Sequence, residues 1–320
     1  GRTSNCYRLI HGEADGLSGL IIDKFADVFI VEPYSAGYVE IMGWIASSLQ
    51  TLYPGCRIVV RPDERTAVKE KVDFSRVARD YPGPDSVEIK ENRLRMQVNL
   101  KTGHKTGFFL DQRENRLALS QYCYGKEVLD CFCYTGGFAI SAMLAGAKSA
   151  TGIDLDENAL QTAQENARLN SVSVQYHHAN VFDHLRAMHS KGEKVDVVIL
   201  DPSKLAGCVD EIQRAQRTYG DVNRLGMQVV RPGGILLTCS CSGLISEQDF
   251  LSILTRSAAE GGVVLQIFKV DGASPDHPFS TIFPEGRYLK AVFARVFPST
   301  KVGTATLSRP GEDNAQTLNG

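Results

Sequence analysis

From Val128 onward the chain alternates short apolar runs with segments of helical spacing, and that alternation constrains the fold more than any other feature of its 320 residues. Strand-like runs occupy 128–132, 150–154, 174–177 and 195–200, with helical stretches at 137–145 and 157–170 between them. Strands separated in this way predict an α/β fold with a doubly wound, mostly parallel sheet. After a further strand at 235–239, the runs 263–270 and 288–297 read as an antiparallel pair closing one edge. The first eighty or so residues differ: short β-rich runs at 7–10, 20–23, 28–32 and 58–61, with one helix at 38–52, predict a small α+β domain over 1–82. Tyr81-Pro82-Gly83-Pro84 marks its end. A second domain is expected over 83–298, led by a β-hairpin of 87–90 and 94–100 around Glu91-Asn92. Residues 299–320, rich in Thr, Ser, Gly and Asn, read as a disordered tail.

A formal charge of −2 argues against a chain that coats nucleic acid indiscriminately. The distribution is uneven, however. Residues 57–116 carry fourteen Lys/Arg against ten Asp/Glu, so that stretch is +4 and the remainder −6. Singly such charges are solvated surface; as a set they point to a polyanion. The eight cysteines show neither a disulfide framework nor a Cys-x-x-Cys metal clip, which leads us to expect buried thiols in a reducing cytoplasm and no metal. The sequence shows no signal peptide and no run of eighteen apolar residues, so no membrane partner is expected. The chain starts at Gly1 rather than Met, as a chain with an upstream segment removed would.

Two strand ends suggest chemistry. The run 234–243 reads as a buried strand delivering Cys241 to a Gly/Ser-rich turn, and 195–204 as a second strand ending on Asp201 followed by Pro202. If the two neighbour each other in a parallel sheet, roughly 4.8 Å apart, a thiol and a carboxylate share the crevice where such sheets bind ligands. Cys239 competes with Cys241, since strand side chains alternate, but Cys241 lies at the strand exit beside Gly243.

The loop Asp130-Cys131-Phe132-Cys133-Tyr134-Thr135-Gly136-Gly137-Phe138 follows the first strand of this sheet and opens a helix. Glycines let backbone approach a ligand, and a helix start attracts a carboxylate or phosphate. Asp154, with Leu155 beside it, ends the next strand, where an acid holds ribose in sheets of this kind. Gly-x-Gly-x-x-Gly and Gly-Lys-Ser/Thr are both absent from the loop, which leaves S-adenosylmethionine as the ribose-bearing cofactor.

Together with that loop, Lys105-Thr106-Gly107-Phe108-Phe109-Leu110-Asp111-Gln112-Arg113-Glu114-Asn115-Arg116, Asp201-Pro202-Ser203-Lys204 and Ser240-Cys241-Ser242 resemble the bacterial large-subunit ribosomal RNA cytosine-5 methyltransferase I family. The likeness runs from Arg8-Leu9-Ile10-His11-Gly12-Glu13 to Glu285-Gly286-Arg287-Tyr288-Leu289-Lys290. It implies a seven-stranded methyltransferase sheet and RNA as substrate. Asp111, Gln112 and Arg113 would then lie by the cofactor's methionine moiety, Asp130, Phe132, Tyr134, Thr135, Gly136 and Gly137 would form its loop, and Asp154 would hold its ribose. Asn180-Val181 falls where the family places an acid near adenine, and an amide can still accept from the adenine amino group.

The same resemblance makes Cys241 the nucleophile and Asp201 the group on the cytosine ring, with Lys204 on the substrate side. Carbon 5 of cytosine is too weak a nucleophile for direct methylation; thiolate attack on carbon 6 converts the ring to an enamine. Ser203 replaces a proline of the family, which loosens the turn that shapes the base pocket. The family's amino-terminal RNA-binding module is not visible here, so the small domain and Arg93, Arg95, Lys101 and His104 are left to contact phosphates. The resemblance also implies a homodimer, although no exposed apolar stripe is legible in the sequence. Two other readings stay open: methylation of a nucleobase nitrogen, which needs no thiol, and an inactive RNA-binding homologue.

Overall fold

The computed structural model describes residues 4–62, 64–100 and 106–299. Lys101, His104, Lys105 and the tail beyond residue 299 therefore lie outside the described residues.

A four-stranded sheet in the order β1-β2-β3-β4 is built from β1 (Cys6–His11), β2 (Leu20–Phe25), β3 (Val28–Pro33) and β4 (Arg57–Val60). Helix α1 (Gly37–Leu52) lays Met42, Ala46 and Leu49 on it, the i, i+4, i+7 spacing of one helical face. Short helices α2 (Glu64–Glu70) and α3 (Ser75–Asp80) lead to the hairpin β5 (Ser86–Glu91) and β6 (Leu94–Asn99). Alternate residues of the hairpin, Val87, Ile89, Leu94, Met96 and Val98, are buried in one cluster with Phe25, Val28 and Ile30 of the small sheet.

The large sheet contains β7 (Glu127–Cys131), β8 (Ser149–Asp154), β9 (Gln175–His178), β10 (Val195–Leu200), β11 (Val230–Ser240), β12 (Val263–Asp271) and β13 (Lys290–Pro298). Its order is β12-β13-β11-β10-β7-β8-β9, with β13 antiparallel to both its neighbours. The helices are α4 (Arg113–Ser120), α5 (Gly137–Leu144), α6 (Glu157–Leu169), α7 (Val181–Ser190), α8 (Ile212–Gln228) and α9 (Glu247–Glu260). Val198, Leu200 and Leu236 pack with Leu185, Tyr219 and Phe250 of α7, α8 and α9. On the opposite face Val197, Ile199 and Leu237 pack with Leu119 and Phe138 of α4 and α5. Both faces are thus covered, as a parallel sheet requires.

The chain steps from β7 through β8 to β9, then crosses back to place β10 on the other flank of β7. Between the carboxyl ends of β7 and β10 the connections diverge, which opens the crevice where doubly wound sheets bind ligands. At the far edge β12 leaves Val264, Ile267, Phe268 and Val270 exposed. This apolar stripe was not legible in the sequence, because it emerges only when the strand is left without a second neighbour.

Candidate functional site

Cys241 lies against the Asp201-Pro202 turn. Strands β10 and β11 are parallel neighbours with Leu200 opposite Thr238, so both chains leave the sheet at one level. The Cys241 Sγ lies 3.9 Å from the Pro202 carbonyl, and Asp201 accepts a 3.0 Å hydrogen bond from Gln112 Nε2. Cys241 is half-buried, whereas Cys239 is wholly buried and its thiol is pushed far up by burial and by Asp201. Of the two thiols, Cys241 is the accessible one. Six of the eight cysteines are buried and all are free.

The turn after Asp201 is tied to the strand that carries Cys241. The Ser242 Oγ accepts from the backbone N–H groups of Leu205 and Ala206 at 3.1 Å each and shares a 3.1 Å bond with Tyr219 Oη. The residue after the thiol thereby ties down the loop that carries Asp201. Ser203 and Lys204 are exposed on that loop.

The segment 108–116 is fixed from three directions. Tyr288 Oη donates to Asp111 Oδ2 at 2.6 Å, and Ser274 donates to the Asp111 carbonyl. Gln112 spans Asp201 and Asn115. Arg113 makes a two-bond pair with Asp276 at 2.9 and 3.0 Å, and the hydrogen bonds of His277 and Arg113 hold that carboxyl below its ordinary range against the opposing effect of burial. Arg116 is buried against Glu91 at 2.6 Å, donates to the Phe109 carbonyl and lies over the Phe108 ring at 4.6 Å. Arg113 is therefore neither a surface charge nor paired with Asp111.

The loop after β7 is held in an unusual backbone. Phe132 and Tyr134 have φ of +63° and +48°, in the left-handed region that side chains rarely adopt, a strain concentrated at ligand sites. Gly136 has φ of +86°, and a Cβ there would sit 2.4 Å from Tyr176 Oη. Asp154 Oδ2 accepts from the Tyr134 N–H at 2.8 Å and its Oδ1 from the Asp156 N–H at 3.0 Å, so the strand-end acid pins the loop. Asp130 Oδ2 accepts from the Ala139 N–H at 2.9 Å, while its buried Oδ1 has no protein partner. Burial pushes the Asp130 carboxyl far up, the Ala139 N–H opposes this, and the nearby charges of Asp201 and Asp154 add to the rise. Three carboxyl groups thus converge at the ends of adjacent strands, and an ammonium group placed among them would supply the partner that Asp130 lacks. The residues present fit the amino-acid end of S-adenosylmethionine.

Other expected positions are arranged differently. Asn180 caps α7, its Oδ1 accepting from the Phe182 and Asp183 N–H groups at 2.9 and 3.4 Å. Val181 turns into the core, and Leu155 is exposed with its carbonyl bonded to His178. Arg95 pairs with Glu88 on the hairpin, whose backbone is bonded to Asn166 of α6 and to Asn170 just past its end; Arg93 is exposed at its turn. Neither arginine is in contact with the Cys241–Asp201 cluster. Lys290, Tyr288, Ser242 and Tyr219 were missed as members of the site, and only the sequence adjacency of Ser242 to Cys241 offered a signal.

A cavity of about 440 Å³ lies between the small sheet and the segment 106–111, lined among others by Arg8, Glu32, Tyr34, Asp111 and Tyr288. It shares Asp111 and Tyr288 with the site. Among the described residues no cluster of His, Cys, Asp or Glu is placed to hold a metal ion, and no helix is long and apolar enough to cross a membrane.

Comparison with known proteins agrees with this geometry. The protein-family profile for S-adenosylmethionine-dependent methyltransferases matches residues 81–281. The ribosomal RNA large subunit methyltransferase I of Aeromonas salmonicida (strain A449) is 42% identical over 293 residues, 90% of this chain and 74% of the relative. That of Klebsiella pneumoniae (strain 342) is 39% identical over 295 residues, 91% of this chain and 74% of the relative. Among solved structures, SMU.776 complexed with SAH superposes with a TM-score of 0.77 at 21% identity, covering 92% of this chain and 76% of that one, which shows the shared fold. With its switch-point crevice, strained glycine loop and convergent carboxylates, the chain belongs to the ribosomal RNA large subunit methyltransferase I family of S-adenosylmethionine-dependent methyltransferases.

Proposed function

We propose that this chain methylates carbon 5 of a cytosine in large-subunit ribosomal RNA through a covalent adduct with Cys241. The observation that carries the reading is the meeting of the Cys241 thiol with the Asp201-Pro202 turn at the ends of adjacent strands. The names of its relatives supply the class of RNA. Asp130, Asp111 and the 132–137 loop would hold the amino-acid end of the cofactor, Asp154 and Leu155 the ribose, and Asn180 with Val181 the adenine side. Bound there, S-adenosylmethionine supplies an electrophilic methyl group.

Cys241 thiolate adds to carbon 6 of the ring, which makes carbon 5 nucleophilic. Asp201, aimed by Gln112, takes up a proton as the base enters, accepts from the amino group and donates to N3, so that a neutral carboxyl meets the negative charge that develops on the ring. Once carbon 5 is methylated, a base removes its proton, the ring double bond reforms and the thiolate departs. The cavity beside Asp111 and Tyr288 gives RNA a place against the small domain, with Lys204, exposed on the turn after Asp201, and Arg93 and Arg95 as phosphate contacts. The apolar edge of β12 is where we place the homodimer contact.

The test is incubation with S-adenosylmethionine labelled on its methyl group and unmodified large-subunit ribosomal RNA, alongside Cys241→Ala. Label recovered as 5-methylcytidine, and lost in the variant, is expected. Label on a ring nitrogen that survives the substitution, or RNA binding without label, would overturn the reading.

A further inference from the structure

Lys290 is a lysine where a strand core would hold an apolar residue. It is 2% exposed, and β13 pairs it directly opposite Ser240, one residue before Cys241. Its Nζ donates to the Ser242 carbonyl at 2.7 Å and to the Tyr288 carbonyl at 2.8 Å. The ammonium thus bridges the residue that follows Cys241 to the residue that holds Asp111. Both partners are neutral, and among the described residues Lys290 makes no ion pair. A buried cation left without a carboxylate is expensive unless an anion forms beside it.

The charged groups around it are few. Cys241 stands at the exit of β11, and Glu247 at the start of α9 is bonded to Arg287 at 2.6 Å. Tyr288 is bonded to Asp111, and its phenol is pushed far up by burial and by that acid, so it stays neutral. Asp201 lies across the crevice and disfavours a second negative charge. Burial brings the Lys290 ammonium down to about 8, against the pull of Cys241 and Glu247 in the other direction, so it is predominantly charged at neutral pH.

We propose that Lys290 is a positioning residue whose buried charge stabilises the Cys241 thiolate and offsets the repulsion of Asp201. The inference rests on the reading of Cys241 as the nucleophile, but its geometry does not depend on the identity of the RNA. The thiol proton leaves to water, the lysine keeps its own, and the carbonyls of Ser242 and Tyr288 hold the ammonium in place while Cys241 adds to and leaves the ring. A free thiol near pKa 8.5 is only a few per cent ionised at pH 7; a fixed cation beside it raises that fraction.

The test measures the rate of Cys241 alkylation by iodoacetamide against pH, resolved by peptide mass spectrometry, in the parent protein, Lys290→Met and Lys290→Arg. Lys290→Met should move the midpoint up by about one pH unit and slow alkylation at pH 7 about tenfold, while Lys290→Arg retains most of the parent rate. On ribosomal RNA, Lys290→Met should lower kcat at pH 7 more than it changes KM, with recovery toward pH 9. An unchanged alkylation midpoint in a folded Lys290→Met protein overturns the proposal. Should that variant not fold, the reciprocal experiment decides: in Cys241→Ser the titration midpoint of Lys290, read by NMR from the ¹³Cε shift of lysine-labelled protein, should fall, and an unmoved midpoint overturns the coupling. If the midpoint shifts as expected but Cys241→Ala still methylates RNA, the nucleophile reading fails and the coupling of the two groups stands.

Discussion

Replacing Ser242 with alanine should release the loop that carries Asp201 from the strand that carries Cys241. Its Oγ is the shared acceptor for the Leu205 and Ala206 N–H groups and a partner of Tyr219 Oη, each at 3.1 Å. Ser242, Ala206 and Tyr219 are buried, so water does not replace the missing oxygen. A buried polar group stripped of its partner costs about 1–3 kcal/mol. The Ala206 N–H is fully buried, the Leu205 N–H lies at the half-buried side, and Tyr219 Oη keeps its bond to Ser240, which gives a loss of about 1–3 kcal/mol in the Ser242→Ala protein. Since about 1.4 kcal/mol is a factor of ten, local opening of residues 202–206 should rise roughly 5- to 140-fold if the loop bears the whole cost. Amide hydrogen exchange by mass spectrometry reads this directly, and urea denaturation reads the fraction that reaches global stability. Methyl transfer should fall while affinity for S-adenosylmethionine stays near the parent value. Unchanged exchange at Leu205 and Ala206, with stability within about 0.5 kcal/mol of the parent, would show that the tether has no energetic role.

Three further outcomes are expected. Gly136→Ala places a Cβ 2.4 Å from Tyr176 Oη at a φ of +86°, so calorimetric affinity for S-adenosylmethionine should drop at least tenfold; an unaltered Kd would refute the loop geometry. Glu91→Gln leaves the buried Arg116 guanidinium without its counter-charge and should cost about 3–5 kcal/mol in chemical denaturation, with a loss below about 1 kcal/mol contradicting it. The His11 imidazole is pushed down to about 4 by burial, by Arg8 and by His277, so it is neutral in the fold and charged in the unfolded chain at mildly acid pH. Stability from this group is therefore present above about 6.5 and lost as pH falls from there toward 4; His11→Gln should flatten that part of the Tm profile, and an identical profile would count against the assignment.

Strands were legible where one periodicity persisted, and obscured where chemistry interrupted it. Val197 to Leu200 reads as a strand because every residue is apolar and both faces are covered. Strand β11 begins five residues before the apolar run starting at Ile235, since Arg231-Pro232-Gly233-Gly234 has the composition of a turn and the register with β10 shifts there. The helical period of α8 is broken in the sequence. Its buried stripe of Ala215, Tyr219, Val222 and Leu225 is interrupted by Gly220, Asn223 and Gly226, and at Gly226 a Cβ would meet Leu200 Cδ1 at 2.8 Å. The glycine that weakens the helical signal is what lets the helix close on the sheet.

The site was legible in part for a related reason. Asp130, Asp154, Asp201 and Cys241 each sit at the end of a strand, and a parallel sheet with a switch point collects such residues without further instruction. Their partners are another matter. Tyr288 reaches Asp111 across 177 positions, Asp276 reaches Arg113 across 163, and Gln112 reaches Asp201 across 89. No local pattern carries pairings of that range. For the same reason Asp111 and Arg113, two positions apart in the chain, turn to different distant partners, Tyr288 and Asp276.

Covalent catalysis at this site requires a bond between Cys241 and the ring of a ribosomal cytosine. Large-subunit ribosomal RNA transcribed with 5-fluorocytidine cannot surrender a proton from carbon 5, so an enzyme that works through a thiol adduct is trapped on it after methyl transfer. Incubation with that RNA and S-adenosylmethionine, followed by denaturing electrophoresis and peptide mass spectrometry, should give an RNA-linked band whose nucleotide mass maps to Cys241 and which disappears in Cys241→Ala. A protein that methylates unmodified RNA yet leaves no denaturation-resistant complex with the fluorinated one, or links through another residue, would contradict the account.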